Sequence, residues 1–161
     1  MFGFALRRLA LTGPGKAPAE VEFTRGLNII AGPSDTGKSF IAQCLNYALG
    51  GGDVPKDIPE AEGYTIVALE IEANQDQRLY KLERSLRGGN VRCTTDGQPD
   101  RTLAAKHQGG KDDTVSQFLL DLSGLSTKKV RTNEQGKTRP LSFRDIARFV
   151  IIDEESVIKE T

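Results

Sequence analysis

One octapeptide constrains the fold of this chain more than any other feature. Residues 32–39 read G-P-S-D-T-G-K-S and fit the P-loop pattern G-x-x-x-x-G-K-[ST]. An apolar run over 27–31 precedes the motif and predicts a buried strand, and a helical pattern follows it and ends at the glycines of 50–52. A strand, a glycine-rich loop and a helix in this order form the local context that the motif requires.

The motif predicts a phosphate-binding site. Backbone N–H groups of such a loop and the positive end of the helix dipole converge on a phosphate chain. We expect Lys38 to reach the β- and γ-phosphates of ATP as a catalytic group, and the Ser39 hydroxyl to bind Mg²⁺. The predicted nucleotide-binding residues are Gly32, Pro33, Ser34, Asp35, Thr36, Gly37, Lys38, Ser39 and Phe40.

The composition limits the classes of protein to which this chain can belong. The 161 residues predict one domain or one large piece of one, and 22 basic residues balance 22 acidic ones, so no overall charge draws the chain to nucleic acid. DNA contact would need a local patch, and the basic stretch 128–139 is the candidate. No apolar run approaches the roughly 18 residues of a membrane span, so we expect a cytoplasmic protein without membrane contact.

Three residues with reactive side chains predict no site of their own. Cys44 lies on the apolar face of the P-loop helix and Cys93 in a predicted strand, and reduced thiols are expected at both. His107 has no Cys or His neighbours that would complete a metal site, and we expect it at the surface.

The rest of the chain predicts a β-meander followed by helices. Strands are expected over 4–11 and 21–23, and period-2 alternation predicts further strands from 65 to 71, over 79–86 and over 90–94. Residues 96–111 predict an irregular loop. Two later helices are indicated by capping-box pairs, Thr114 with Gln117 and Ser142 with Asp145, and the second runs through Val150.

Residues 23–39, F-T-R-G-L-N-I-I-A-G-P-S-D-T-G-K-S, resemble the opening of the SMC/RecF/RecN-like ATPases of the ABC type. The resemblance implies an α/β (α+β mixed) head lobe with a mixed sheet. It implies one ATP-binding lobe over 1–161, with the P-loop part in 1–50, the meander in 64–95 and a helical part in 112–161. The stretches P-E-A-E-G-Y and L-S-F-R-D-I look like those of bacterial relatives in antiphage defence or DNA repair.

The resemblance also implies partners. Heads of this class join two lobes through a coiled coil, and the second lobe carries the signature motif and the Walker B carboxylates. This sequence has no L-S-G-G-x motif and no heptad segment, so we expect a first-lobe fragment or a naturally split subunit. Its expected partners are a second ATPase lobe or coiled-coil portion and another head in a head–head homodimer.

The acids at Asp153 and Glu154 have three interpretations. They follow the apolar residues 149–152, as in a Walker B motif, where Asp153 would hold Mg²⁺ and Glu154 would activate water. In the resembling lobes this position belongs to the Q-loop, and an acid there would do similar metal work. The third interpretation is a solvated acidic helix end.

These observations leave three functions open. The first is a lobe that binds Mg-ATP and pairs with a second lobe to hydrolyse it, in a DNA-associated process. The second is a self-contained small P-loop NTPase that uses Asp153 and Glu154 as Walker B. The third is a non-hydrolysing module whose assembly is gated by ATP.

Overall fold

The computed structural model describes residues 1–33, 36–106 and 113–152. These residues form eight strands, three α-helices and one 3₁₀ turn. In chain order these are β1 Phe4–Thr12, β2 Ala19–Glu22, α1 Lys38–Ala48, the turn Pro59–Ala61, β3 Ile66–Ala73, β4 Leu79–Ser85, β5 Val91–Thr94, β6 Arg101–Leu103, α2 Val115–Leu122, β7 Lys129–Arg131, β8 Thr138–Pro140 and α3 Phe143–Val150.

Six strands form one antiparallel sheet in the order β2-β1-β3-β4-β5-β6. Its register places Leu69 of β3 between Leu9 of β1 and Leu82 of β4, and all three side chains are buried. Because side chains alternate along a strand, this register directs one apolar row into the core. The predicted meander is confirmed by the sequential pairing of β3, β4 and β5.

Helix α1 packs against β3 and β4 and closes one side of the core. The inner face of α1 buries four side chains, Cys44, Leu45, Tyr47 and Ala48. Helix α2 adds Leu119 and Leu120 to the core, and these two residues have no exposed surface. Burial of a large apolar side chain stabilises a fold by about 1.5–3 kcal/mol. The packing therefore fixes the P-loop helix on the sheet. In the described ranges no helix has the length and apolar character needed to cross a membrane.

The two later helices begin at side-chain caps. The Thr114 hydroxyl accepts from the Gln117 N–H at 3.0 Å, although the Gln117 side chain turns to Asp121 and leaves the predicted box half formed. The predicted box at Ser142 and Asp145 is complete. The cap of α3 is also tied to α2, because the Phe143 N–H donates to the Ser116 hydroxyl at 2.8 Å.

The predicted strand over 27–31 is wrong: these residues form no strand. Leu27 and Ile29 are 86% and 79% exposed, instead of buried. The physical reason is that the segment joins neither open edge of the described sheet, which β2 and β6 form, so no strand there bonds its backbone groups. A turn just before the segment is held by Asn28, whose side chain accepts from the Thr24 N–H at 2.9 Å.

Two short pairings occur where no strand was predicted. Within 96–111, which the sequence predicts as an irregular loop, β6 pairs with β5. The basic stretch forms a two-stranded hairpin of β7 and β8. Each of these three strands has only three residues, which is too few for period-2 alternation to be recognised in the sequence.

Candidate functional site

The residue that precedes α1 is a glycine, and its backbone conformation would be strained for any other residue. Gly37 is the N-cap and has a φ of +81°, in the left-handed region. At the other end of the loop, a Cβ on Gly32 would lie 3.1 Å from the Thr36 hydroxyl oxygen, which is an unusually short contact for a Cβ atom. Each of the two glycines of the motif therefore occupies a position where a side chain would be strained or crowded.

The first turn of α1 has three backbone N–H groups without a partner inside the helix. The first helical bond runs from the Ile41 N–H to the Gly37 carbonyl at 3.0 Å, so the N–H groups of Lys38, Ser39 and Phe40 have no partner within the helix. Gly37 has no side chain to cap them, whereas α2 and α3 have hydroxyl caps. Three N–H groups without a helical partner, at the positive end of a helix dipole, favour an anion.

Lys38 adds a full positive charge at this point. Its ammonium group donates to the carbonyl oxygen of Pro33 and lies 3.4 Å from the Thr36 hydroxyl oxygen. Thr36 in turn donates to the same Pro33 carbonyl at 2.8 Å. Among the described residues, both partners of Lys38 are uncharged loop oxygens, and no acid of this part of the chain forms a salt bridge with it.

The start of α1 lies between two cavities, and both are bordered by Lys38 and Ser39. One, of about 850 Å³, lies between α1, the edge formed by β1 and β2, and the loop 56–64. The other, of about 720 Å³, lies between α1, the segment 23–30 and α3. Pockets for ligands of nucleotide size commonly measure about 300–1,000 Å³, so the larger cavity has room for the nucleoside of a nucleotide whose phosphates meet the loop.

The larger cavity combines apolar walls with a polar rim. Its apolar walls include Leu9, Leu11, Val21, Ile58 and Pro59. On the rim, the Gln43 side chain accepts from the Lys56 N–H at 2.9 Å, and the Tyr64 hydroxyl donates to the Ala17 carbonyl at 3.0 Å. Apolar walls with a few placed polar groups are typical of small-molecule sites.

Sequence reasoning missed Gln43 and Lys56. Gln43 follows Ser39 by four residues, and positions i and i+4 share one face of a helix. That spacing could have indicated that Gln43 borders the site. Lys56 lies in a loop far from the motif in sequence, and no local pattern predicts its position.

An apolar surface adjoins the second cavity. Leu27, Ile30, Val150 and Ile152 line this cavity, and all four are exposed by 42% or more. Ile29 and Phe149, the sequence neighbours of Ile30 and Val150, are exposed as well. Exposed apolar side chains grouped around a cavity are a common feature of interaction sites.

Several predicted site residues lie outside the described residues: Ser34, Asp35, Asp153 and Glu154, together with His107. Helix α3 ends at Val150 as expected, and the acids follow beyond Ile152. Their roles stay predictions. The described residues of the predicted nucleotide site, Gly32, Pro33 and Thr36 to Phe40, lie together at the start of α1.

The two cysteines are not candidate nucleophiles, although Cys44 borders the larger cavity. Both are free and buried. Burial raises the pKa of the Cys44 thiol to about 12 and that of Cys93 to about 11. The thiolate is the reactive form of cysteine, so neither side chain is a nucleophile at neutral pH.

Comparisons with known proteins identify the family of the chain. The model of the AAA domain family matches residues 16–158, which include the whole P-loop. No curated protein matches the chain significantly. Among solved structures, a chain from work on the structural biochemistry of ATP-driven dimerization and DNA-stimulated activation of SMC ATPases is similar, at 16% identity and a TM-score of 0.45, over 96% of this chain and 95% of that one. The family match confirms the predicted P-loop ATPase lobe, and this chain belongs to the AAA domain family.

Proposed function

We propose that the chain is an ATP-binding lobe that holds Mg-ATP at the start of α1. The observation that carries the proposal is the uncapped first turn of α1, with Lys38 and Ser39 beside a cavity of about 850 Å³. The phosphates would lie against the N–H groups of the first turn and Lys38, and the nucleoside would extend into the larger cavity.

The residues present fit a magnesium-bound triphosphate. The donors of the first turn and the Lys38 ammonium group supply positive charge, and the Ser39 hydroxyl is a hard oxygen ligand of the kind that Mg²⁺ prefers. When bound, Mg²⁺ neutralises phosphate charge. Asp153 remains the proposed second metal ligand, and Glu154 the proposed activator of water.

We further propose that a second lobe covers the apolar surface beside the smaller cavity. The segment 27–31 has the sequence of a strand, yet Leu27 and Ile29 are exposed and the segment pairs with no strand of the described chain. A strand from another lobe would satisfy its backbone groups and bury these side chains. Hydrolysis would need groups from that second lobe, and a second head would enclose the bound nucleotide.

This arrangement separates binding from hydrolysis. Phosphoryl transfer depends on positioning and on charge neutralisation around the γ-phosphate. A lobe with half of these groups binds nucleotide and turns it over poorly. The two free, buried thiols fit a reducing compartment such as the cytoplasm.

Calorimetric titration with Mg-ATP tests the proposed binding. We expect saturable binding by the wild-type chain and binding weaker by about tenfold or more in Lys38→Ala, because a charge-assisted contact contributes about 1.5–3 kcal/mol. Lys81→Ala is the matched control, since Lys81 is an ammonium group on β4 that pairs with Glu83 at 2.7 Å. Equal affinity of Lys38→Ala and the wild type would overturn the assignment of the site.

A further inference from the structure

One wall of the larger cavity is formed by a loop that the hydrophobic core does not hold. Residues 56–64, the wall loop, border this cavity, and none of them is buried. We propose that Lys16 is a clamp that holds the wall loop in place and so determines how tightly the nucleoside part of a nucleotide binds. The inference rests on the proposed function, because it concerns the same nucleotide site.

The Lys16 side chain contacts three consecutive residues at the end of the wall loop. Its ammonium group donates to the Glu62 carbonyl oxygen and lies 4.9 Å from the centre of the Tyr64 ring. Its aliphatic chain crosses Gly63, where an added Cβ would lie 2.8 Å from the Lys16 Cε atom. A cation over the face of an aromatic ring is attracted by the ring. One side chain thus ties the wall loop to the turn between β1 and β2.

The backbone brings this turn close to the wall loop. The Thr65 N–H donates to the Thr12 carbonyl at 2.8 Å, just beyond the end of the wall loop. A Cβ on Gly13 would overlap with the Gly63 carbonyl oxygen, so the close approach of the two chain segments requires a glycine at this position. The Lys16 N–H donates back to the Gly13 carbonyl at 3.3 Å. Lys16 therefore lies on a closed turn that is already next to Gly63.

Hydrogen bonds within the wall loop connect the clamp to the cavity. The Tyr64 N–H donates to the Ala61 carbonyl at 3.1 Å, and the Ala61 N–H donates to the Ile58 carbonyl at 3.0 Å. These three residues line the cavity, and Lys16 is not among its lining residues. Lys16 is therefore a positioning residue, which acts on the nucleoside through the wall loop and not by direct contact.

The two ends of the proposed nucleotide site depend on different lysines. Lys38 lies at the start of α1, where the phosphates would bind. Lys16 lies on the far side of the cavity, where the apolar side chains of Ile58 and Pro59 would contact the nucleoside. A change at Lys16 should therefore affect the nucleoside and spare the phosphates, whereas a change at Lys38 should affect any ligand that has the triphosphate.

Calorimetric titration with two ligands, Mg-ATP and Mg-tripolyphosphate, tests the proposal. Tripolyphosphate has three linked phosphates, as ATP does, and has no nucleoside. Lys16→Met removes the charge and keeps an aliphatic chain, whereas Lys16→Arg keeps a cation that can bond to Glu62 and stack on Tyr64. Lys129→Met, at an exposed lysine of β7, is the matched control. Lys16 is exposed, so Lys16→Met should keep the fold, and urea denaturation checks this for each variant.

We expect the wild type to bind Mg-ATP more tightly than Mg-tripolyphosphate. Lys16→Met should bind Mg-ATP about two- to fivefold more weakly, which is the effect of losing an exposed cation–π contact. Its affinity for Mg-tripolyphosphate should stay unchanged. Lys16→Arg and Lys129→Met should bind both ligands like the wild type, and Lys38→Ala should bind both more weakly.

The results that overturn the clamp differ from those that overturn the nucleotide site. The clamp is overturned, and the nucleotide site stands, if the wild type binds the two ligands equally or if Lys16→Met binds Mg-ATP like the wild type. The same holds if Lys16→Met weakens both ligands alike, because a general loss of structure would do that. If the wild type binds neither ligand, or if Lys38→Ala binds both like the wild type, the proposed function fails and the clamp fails with it.

Discussion

The guanidinium carbon of Arg84 lies 3.7 Å from the centre of the Tyr47 ring, and its Nη1 donates to the Tyr47 carbonyl oxygen at 2.8 Å. The same nitrogen donates to the Gly51 carbonyl at 2.7 Å, and Nε donates to the Gly89 carbonyl at 3.1 Å. The Tyr47 hydroxyl donates in return to the Ser85 carbonyl at 2.5 Å. These bonds join the end of the P-loop helix to β4.

Replacement of Arg84 should destabilise the fold strongly. Arg84 is 6% exposed, so Arg84→Met would leave buried carbonyl oxygens without donors. We expect the free energy of unfolding to fall by about 3 kcal/mol, as measured by urea denaturation. The exposed Arg87→Met is the control and should change it by less than about 0.5 kcal/mol. A decrease no larger than that of the control would show that the guanidinium does not hold α1 in place.

Asp145 should stabilise the start of α3 in a pH-dependent manner. Its carboxylate accepts from the Ser142 N–H at 2.9 Å and binds Arg139, whose guanidinium is the main reason that the pKa of Asp145 is lowered. Asp145→Asn should lower the free energy of unfolding by about 1 kcal/mol at neutral pH. The exposed Asp57→Asn should have little effect and serves as the control.

The sign of the pH effect follows from the lowered pKa. The unfolded chain has an ordinary aspartate pKa of about 3.9, so it takes up the proton before the folded chain does as the pH falls. The difference between wild type and Asp145→Asn should be constant above about pH 5 and should shrink as the pH falls through the lowered pKa. Urea denaturation of both proteins at a series of pH values measures this difference in the free energy of unfolding. A difference that persists unchanged into strong acid would show that the charge of Asp145 contributes nothing.

The exposed segment before the P-loop should cause self-association of the isolated lobe. Ile29 is 79% exposed in the segment that we propose to pair with a second lobe. Ile29→Lys should leave the free energy of unfolding nearly unchanged and should shift the sedimentation distribution toward the monomer. Val54→Lys, at another exposed apolar position, is the matched control. If both variants sediment like the wild type, the segment is not an association surface.

The sequence predicted those helices that contain a recognisable pattern within their own residues. The P-loop helix was predicted because its apolar face repeats with helical period and ends at glycines, and the structure confirms α1 over Lys38–Ala48. The first turn of α3 was predicted from Ser142 and Asp145, because a capping box is formed by residues within one turn. Local physical chemistry is sufficient for such elements.

Elements that depend on distant partners were not predicted correctly. Residues 27–31 have the apolar composition of a strand, but a strand forms only where a neighbour supplies hydrogen bonds, and none is adjacent in the described chain. The same limitation applies to Arg84, which looks like one more surface charge of β4 until α1 is packed over it. At the site, the motif predicted Lys38 and Ser39, but Lys56 is brought there by a loop that no local pattern places.

The central claim is that this lobe binds Mg-ATP and needs a second lobe to hydrolyse it. Phosphate release from Mg-ATP by the purified chain, at nucleotide concentrations that saturate binding and with Lys38→Ala as the blank, tests it most directly. The account predicts release no faster than that of the blank over a wide range of protein concentration. Turnover that disappears in Lys38→Ala would contradict it and would show that the active site is complete within this chain.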